Sequence, residues 1–367
     1  MCAATLDGRV RSQAHRGRRR DSRCRGPPRL RRPLGGHPVK ATAIAHPNIA
    51  LIKYWGKRDL ERILPHNGSL SMTLSGLSAT TTVEFSERDD DAAQIDGRRL
   101  DGAELGRITR VLDLVRARAG LKLKARVVSK TDFPKAAGLA SSAAGGAAVA
   151  AAAAWAAGLE LEPKDLSILA RYGSGSACRS VEGGFCEWLK GEAADGSDSY
   201  AVQIANEEYW PELRMVVVIC ADEVKEISSR DAMQRSVETS PYYQAWVKCA
   251  TENLESARKA LLDKNLAELG AISESNAWRM HASAMAANPP IIFARSITFA
   301  VIEAVAALRA GGVPAYFTLD AGPNPVVLCQ ASGAPRVEMR LSSLPGVQRV
   351  VVASPGDGVK KLDRHLF

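Results

Sequence analysis

FPKAAGLASSAAGG, from Phe133 to Gly146, is the stretch on which the fold turns. The β-branched run LKARVVSK ahead of it reads as a strand, and the alanines after it read as a helix, so the segment is a strand–turn–helix junction built from small residues. Small residues let a ligand approach the backbone closely, and the free N–H groups of a first helical turn attract phosphate. Ser141 and Ser142 add hydroxyls able to bond phosphate oxygens or a bound Mg²⁺. No Gly-Lys-Ser/Thr follows, so this is not a Walker A loop. Gly/Ala-rich segments also serve close helix packing in a core, and on these residues alone both readings stand. The run from Leu139 to Leu159 has the length of a membrane span, but alanine, glycine and serine gain little from hydrocarbon, and a buried helix of a soluble protein is expected.

Working outward, the elements alternate as in an α/β protein. ATAIAHPNIALIKYW reads as a strand interrupted at Pro47, and SATTTVEF reads as another. GAELGRITRVLDLVRARAG has helical spacing and a terminal glycine stop. LRMVVVIC is a near-continuous apolar run of the buried-strand type. Residues 242–287 read as helical up to Asn288-Pro289-Pro290. SITFAVIEAVAALRAGG is a second helix, and AYFTLDAGPNPVVLC is a strand–turn–strand. The polar stretch before residue 208 divides 40–208 from 209–367, and 367 residues suit two α/β domains.

Charge is unevenly distributed. Residues 1–40 hold eleven Arg and one Lys against Asp7 and Asp21, a net of +10. The whole chain carries +9, which leaves −1 for residues 41–367. The basic balance therefore belongs to an Arg-rich tail, residues 1–39, that lacks apolar periodicity. The expected reading of that tail is a disordered extension, or a leader added by an upstream start codon; a transit peptide and an electrostatic contact with RNA or anionic lipid are the other options. A chain starting at Val39 is expected to keep its turnover and melting temperature, measured at low and physiological salt. Seven scattered cysteines without a CxxC pair suit neither a disulfide framework nor a zinc site, and no HxxH or HExxH occurs among six histidines. A reducing compartment is the expected setting.

Four further motifs carry candidate chemistry. NIALIKYWGKRD sets Lys53, Lys57 and Arg58 around Tyr54 and Trp55 after an apolar strand, which suits an anionic substrate or a charge-blunted edge strand. GSGSACRS, residues 173–180, offers glycines, serines and Arg179 for an anion, or a turn with a solvated arginine. Ser228, Ser229 and Arg230 precede a helical stretch, where most such triplets are caps. In LDAGPNP, Asp320 ends a strand; an aspartate before glycine is usually turn chemistry.

Together, IALIKYWGKRD, LPHNGSLSMTL, FPKAAGLASSAAGG, GSGSACRSVEGGF, SVETSP and TLDAGPN stand in the order found in diphosphomevalonate decarboxylases, and the chain resembles that family of GHMP kinases over residues 40–330. The resemblance implies an α/β (α+β) fold of two domains, the first like ribosomal protein S5 domain 2 and the second a ferredoxin-like sandwich, with an active-site cleft between them. It implies a homodimeric cytoplasmic enzyme that takes ATP, Mg²⁺ and (R)-5-diphosphomevalonate to isopentenyl diphosphate, CO₂, ADP and phosphate. Neither nucleic acid nor membrane is an implied partner.

By the same resemblance Asp320 is the catalytic aspartate, Arg179 grips the substrate carboxylate, and Lys53 supports the ionised aspartate. Tyr54, Lys57, Ser174, Gly175, Ser229 and Arg230 fall at the substrate's diphosphate end. Gly138, Leu139, Ala140, Ser141, Ser142, Ala143 and Gly145 form the ATP phosphate cradle, with Ser141 the candidate Mg²⁺ ligand, and Asn67, Ser69 and Ser71 border the nucleotide. Gly68 stands where relatives often carry a polar side chain, Ala140 where the general GHMP pattern has glycine, and His46 takes no role. Phosphomevalonate decarboxylase and mevalonate 3-kinase share the fold and are the nearest competitors. An RNA-binding reading would need basic residues across the body, and the net of −1 opposes it.

Overall fold

The computed structural model describes residues 39–132, 141–220 and 227–367. The Arg-rich tail before Val39 and the loop positions Gly138, Leu139 and Ala140 lie outside the described residues.

Pro47 separates two strands that enter different sheets. Proline offers no N–H to a ladder, so the first strand, Val39–Ala45, stops short of it and the second, Asn48–Ile52, begins after it. The first strand joins a six-stranded sheet in the order Lys360–Leu362, Val39–Ala45, Ala79–Ser86, Lys124–Thr131, Ala92–Ile95, Arg98–Arg99. The second joins a four-stranded sheet of Ala201–Ala205, Phe185–Trp188, Ser69–Thr73 and Asn48–Ile52. This switch carries Lys53 and Tyr54, immediately after Ile52, to the border between the halves of the molecule.

The Ala-rich helix, Ser141–Ala156, lies on the six-stranded sheet and is flanked by the helices Gly102–Ala119 and Pro163–Gly173. A helix apolar on every side must be covered on every side. Here Ala147, Ala150, Ala151 and Ala154 pack with Val83, Phe85 and Val127 in a dry core. No helix among the described residues is long and apolar enough to cross a membrane. Gly120 closes the flanking helix in the left-handed conformation, φ 65°, as a glycine stop should.

The third sheet runs Ala315–Leu319, Pro325–Gln330, Leu213–Cys220, Val347–Ala353. LRMVVVIC is one of its two inner strands and, Arg214 apart, is apolar because both faces are covered. Met215 and Val217 look toward one core, Val216 and Val218 toward another. The first of these cores joins the halves: Ile49, Leu51, Leu70 and Met72 of the four-stranded sheet share it with the helices Tyr243–Leu262 and Leu266–Met285 and with the third sheet. The walls of the cleft between the halves therefore stand on one continuous apolar mass, and their relative position is fixed by packing.

The helical stretch expected over residues 242–287 is two helices. Lys264 takes φ 52°, and the Asn265 side chain accepts from the Glu268 backbone N–H at 3.2 Å, which starts the second helix afresh.

Candidate active site

Lys53 leaves the four-stranded sheet with its side chain turned inward. It is 2 % exposed, and its ammonium meets the Asp320 carboxylate, Nζ to Oδ1 2.5 Å, and donates to the Ala50 carbonyl at 2.9 Å. Its backbone is clamped on both sides. The Lys53 N–H donates to Asn276 Oδ1 at 2.8 Å, and the Lys53 carbonyl accepts from Asn67 Nδ2 at 2.9 Å. Burial disfavours the lysine's charge and Asp320 restores it; burial is the larger effect, and the proton affinity ends below that of an ordinary lysine. Asp320 itself is 32 % exposed at the end of the strand Ala315–Leu319, facing the cleft. The Gly322 N–H donates to its carbonyl at 2.7 Å, closing the LDAGPNP turn.

Arg179 comes from the short 3-10 helix Gly175–Ser180 and is buried. Among the described residues its guanidinium is held by neutral acceptors. Nε donates to Ser71 Oγ at 3.0 Å and to Asn48 Oδ1 at 3.2 Å, Nη2 donates to Asn48 Oδ1 at 3.1 Å, and Nη1 donates to Ser69 Oγ at 2.5 Å. By count of its five N–H groups, one on each terminal nitrogen is left over. Burial lowers its proton affinity, yet no carboxylate among the described residues makes an ion pair with it.

These bonds move three predicted residues. Asn67, Ser69 and Ser71, expected along the nucleotide, are fully buried and face inward. Positions 69 and 71 lie on one side of a strand of period two, and that side supports Arg179, while Asn67 supports the Lys53 backbone. They act beneath the cleft and do not line it.

The other predicted side chains converge. A cleft of about 890 Å³ is lined by Lys53, Tyr54, Lys57, Arg179, Arg230 and Asp320, with Ser174, Gly175 and Ser229 beside them. Tyr54 lies 4.7 Å, centroid to centroid, from Trp188, and a Cβ on Gly175 would come within 2.9 Å of the Tyr54 ring. Glycine at 175 is what admits the tyrosine. Ser228 caps the helix Ser229–Thr239 by accepting from the Asp231 N–H at 3.2 Å, which sets Ser229 and Arg230 on its first turn at the cleft. Lys57 is nearly buried, and burial, reinforced by the Arg230 charge, pulls its ammonium down to about 8. No ion pair holds Lys57 or Arg230 among the described residues.

At the far end Ser142 and Gly145, near the start of the Ala-rich helix, line the same cleft, and a Cβ on Gly145 would meet nothing within 4 Å. Ser142 stands 3.5 Å from the Ser174 hydroxyl. Ser141 is the first residue of that helix, and Ala143 is turned into the core. Beyond them Ile95, Leu100, Ile108 and Val149 give the cleft an apolar end. Near Asp320 the cations Lys53, Lys57, Arg179 and Arg230 gather at one end of the cleft, while Asp96, Arg98, Glu104 and Arg107, with Arg98 and Glu104 paired at 2.7 Å, line it farther out. Such a cleft suits a polyanion with an apolar group attached. Sequence reading missed Asn48, Asn276 and His281; the first two are amides that bond a backbone or a guanidinium, and no local pattern marks them.

Comparison with known proteins agrees with this geometry. The model of the diphosphomevalonate decarboxylase-like N-terminal domain matches residues 45–201, and that of the mevalonate 5-diphosphate decarboxylase C-terminal domain matches 215–354. A diphosphomevalonate decarboxylase of Candida albicans is 35% identical over 358 residues, 89% of this chain and 99% of that protein. The mevalonate diphosphate decarboxylase of Enterococcus faecalis, solved for its mevalonate diphosphate mediated ATP binding mechanism, superposes with a TM-score of 0.82 at 40% identity, covering 89% of this chain and 99% of that one. A structure of MDDEF in complex with MVAPP, AMPPCP and magnesium superposes with a TM-score of 0.84 at 40% identity, again over 89% and 99%. Both halves match in order, at this identity and over nearly the whole of each relative, so the chain belongs to the diphosphomevalonate decarboxylase family.

Proposed function

We propose that this chain catalyses the ATP-dependent decarboxylation of (R)-5-diphosphomevalonate to isopentenyl diphosphate, ADP, phosphate and CO₂. The observation that carries the reading is the cationic cleft in which Lys53 is paired with Asp320 and the buried Arg179 has, among the described residues, only neutral partners. Asp320 faces the 3-hydroxyl and takes its proton as the oxygen attacks the γ-phosphorus of ATP; an O–P bond forms, and ADP leaves. The C3–O bond then breaks with release of phosphate, the carboxylate bond breaks with release of CO₂, and its electron pair becomes the new double bond. Lys53 holds the Asp320 carboxylate in place through their ion pair, and Arg179 offers its two remaining N–H groups to the substrate carboxylate. Tyr54, Lys57, Ser174, Gly175, Ser229 and Arg230 hold the diphosphate.

ATP lies with its phosphates toward Ser142 and Gly145, in the cradle that Gly138, Leu139, Ala140 and Ser141 complete, and with its base toward the apolar end. Mg²⁺ bound there would neutralise phosphate charge. Such an ion takes most of its oxygens from phosphates and water, with Ser141 the proposed protein ligand. The division into 40–208 and 209–367, a homodimeric assembly and a cytoplasmic setting complete the reading.

Product analysis with ATP and each phosphorylated mevalonate tests it. The diphosphate is expected to be preferred over 5-phosphomevalonate by roughly 10 to 200 in kcat/KM, the worth of one charge-assisted contact at Lys57 or Arg230. Equal use of the monophosphate would promote phosphomevalonate decarboxylase, and phosphorylation without CO₂ would promote mevalonate 3-kinase. Lys57 adds a pH signature. Its ammonium loses its proton near 8 in the free cleft, and a bound diphosphate holds that proton on. KM for the diphosphate is therefore expected to rise about tenfold from pH 7 to pH 9, with kcat at saturation much less affected. A flat KM over that range removes Lys57 from the binding site.

A further inference from the structure

The helix Leu266–Met285 runs beneath the cleft and touches both members of the Lys53–Asp320 pair through their main chains. Asn276 accepts from the Lys53 N–H, and five residues on, His281 Nε2 lies 3.2 Å from the carbonyl oxygen of Asp320. A carbonyl only accepts, so Nε2 carries the proton. That oxygen also accepts from Gly322 in the turn, and the imidazole is its second partner. His281 is 2 % exposed, and its ring stands edge-on to Phe293, 5.9 Å between centroids at 87°. Phe293 in turn meets the Trp55 ring at 6.0 Å and 89°. The imidazole is therefore wedged in place.

Lys53 and Asp320 are the charged groups that act on the imidazole. Burial, with the Lys53 charge adding to it, lowers its proton affinity to about 4, so the ring is neutral near pH 7.

We infer that His281 is a positioning residue for phosphoryl transfer: its Nε2–H fixes the Asp320 main chain, so that one helix sets both the aspartate and its lysine against the substrate. The inference rests on the function proposed above. A histidine that merely fills the core would tolerate any side chain of similar bulk, whereas a positioning donor must be replaced by another donor. Displacements on the order of 1 Å at a reacting group cost up to about 100-fold in rate.

The test compares the wild-type protein with His281→Leu and His281→Gln, measuring melting temperature, release of CO₂ and phosphate, and KM for ATP and 5-diphosphomevalonate. His281→Leu is expected to lower kcat about 10- to 100-fold with both KM values within about twofold. In His281→Gln the side-chain amide can reach the same carbonyl, and kcat should return to within about threefold of wild type, with an unchanged pH–rate profile over about pH 6 to 9 because the native ring does not titrate there. Should the Leu variant fail to fold, His281→Asn, whose amide stops short of the carbonyl, takes its place with the same expected loss. A folded Leu or Asn variant with wild-type kcat overturns the inference, and so does a folded Gln variant as slow as they are. A wild-type protein that releases neither product overturns the proposed reaction itself, and this inference with it.

Discussion

Asp320→Asn is expected to lower turnover by about two to four orders of magnitude, the usual worth of general acid–base help, while the protein keeps its fold. The turn asks little of the charge. The Gly322 N–H and His281 Nε2 both bond the main-chain carbonyl of residue 320, which asparagine retains, and asparagine forms turns as readily as aspartate. The side chain is 32 % exposed, so its loss of charge leaves no cavity behind. What changes is its partner. Lys53 is almost wholly buried; burial lowers its proton affinity and Asp320 raises it, so without the carboxylate that opposing pull is lost. The variant thus loses the proton acceptor and the ordered ion pair together. KM for ATP should stay within about twofold, because the phosphate cradle belongs to a separate segment of the chain. Release of CO₂ and phosphate from saturating substrates measures the loss. Wild-type release by a folded Asn variant would leave Asp320 with the turn alone.

The sequence reading was strongest where backbone chemistry is local. Pro47 splits a strand because proline cannot donate, Gly120 ends a helix because it takes φ 65°, and LRMVVVIC is apolar from Met215 to Cys220 because both of its faces are covered. The break at Lys264 was also written locally, as Asn265 followed three residues later by Glu268, but the apolar periodicity running past it hid the cap. Most cleft residues were legible only through the family resemblance of their ordered motifs, because spacing alone left each between a site and a turn, a cap or an edge strand. Asn67, Ser69 and Ser71 were not, because hydroxyls beside a nucleotide and hydroxyls under a guanidinium look alike in sequence. Only the strand's facing decides, and the facing is set by pairing with Phe185–Trp188 more than a hundred residues away. His281 was hidden for a similar reason: a lone histidine in an Ala- and Met-rich helix reads as core until the Asp320 turn, from another sheet, is laid against it.

Arg179→Gln separates holding the substrate from converting it. The native guanidinium is fixed by Asn48, Ser69 and Ser71 and carries two N–H groups that these acceptors do not use, and in the proposed function those two groups hold the substrate carboxylate. A carboxylate is present in the ground state as well as in the transition state, so its grip contributes to both. KM for 5-diphosphomevalonate should therefore rise along with a fall in kcat, giving a loss of about 10² to 10⁴ in kcat/KM for two charge-assisted bonds of about 1.5–3 kcal/mol each. This contrasts with Asp320→Asn, where the fall belongs to kcat. Stability should drop too, since glutamine cannot satisfy all three native acceptors and each buried group left unpaired costs about 1–3 kcal/mol. Arg179→Lys keeps a charge but not the fork, and a point ammonium cannot reach two serines and an amide while facing a carboxylate. It is expected to recover part of KM and little of kcat. If Arg179→Gln lowers the melting temperature and leaves both kinetic constants intact, the arginine only braces the sheet, and the substrate carboxylate must be held by another group.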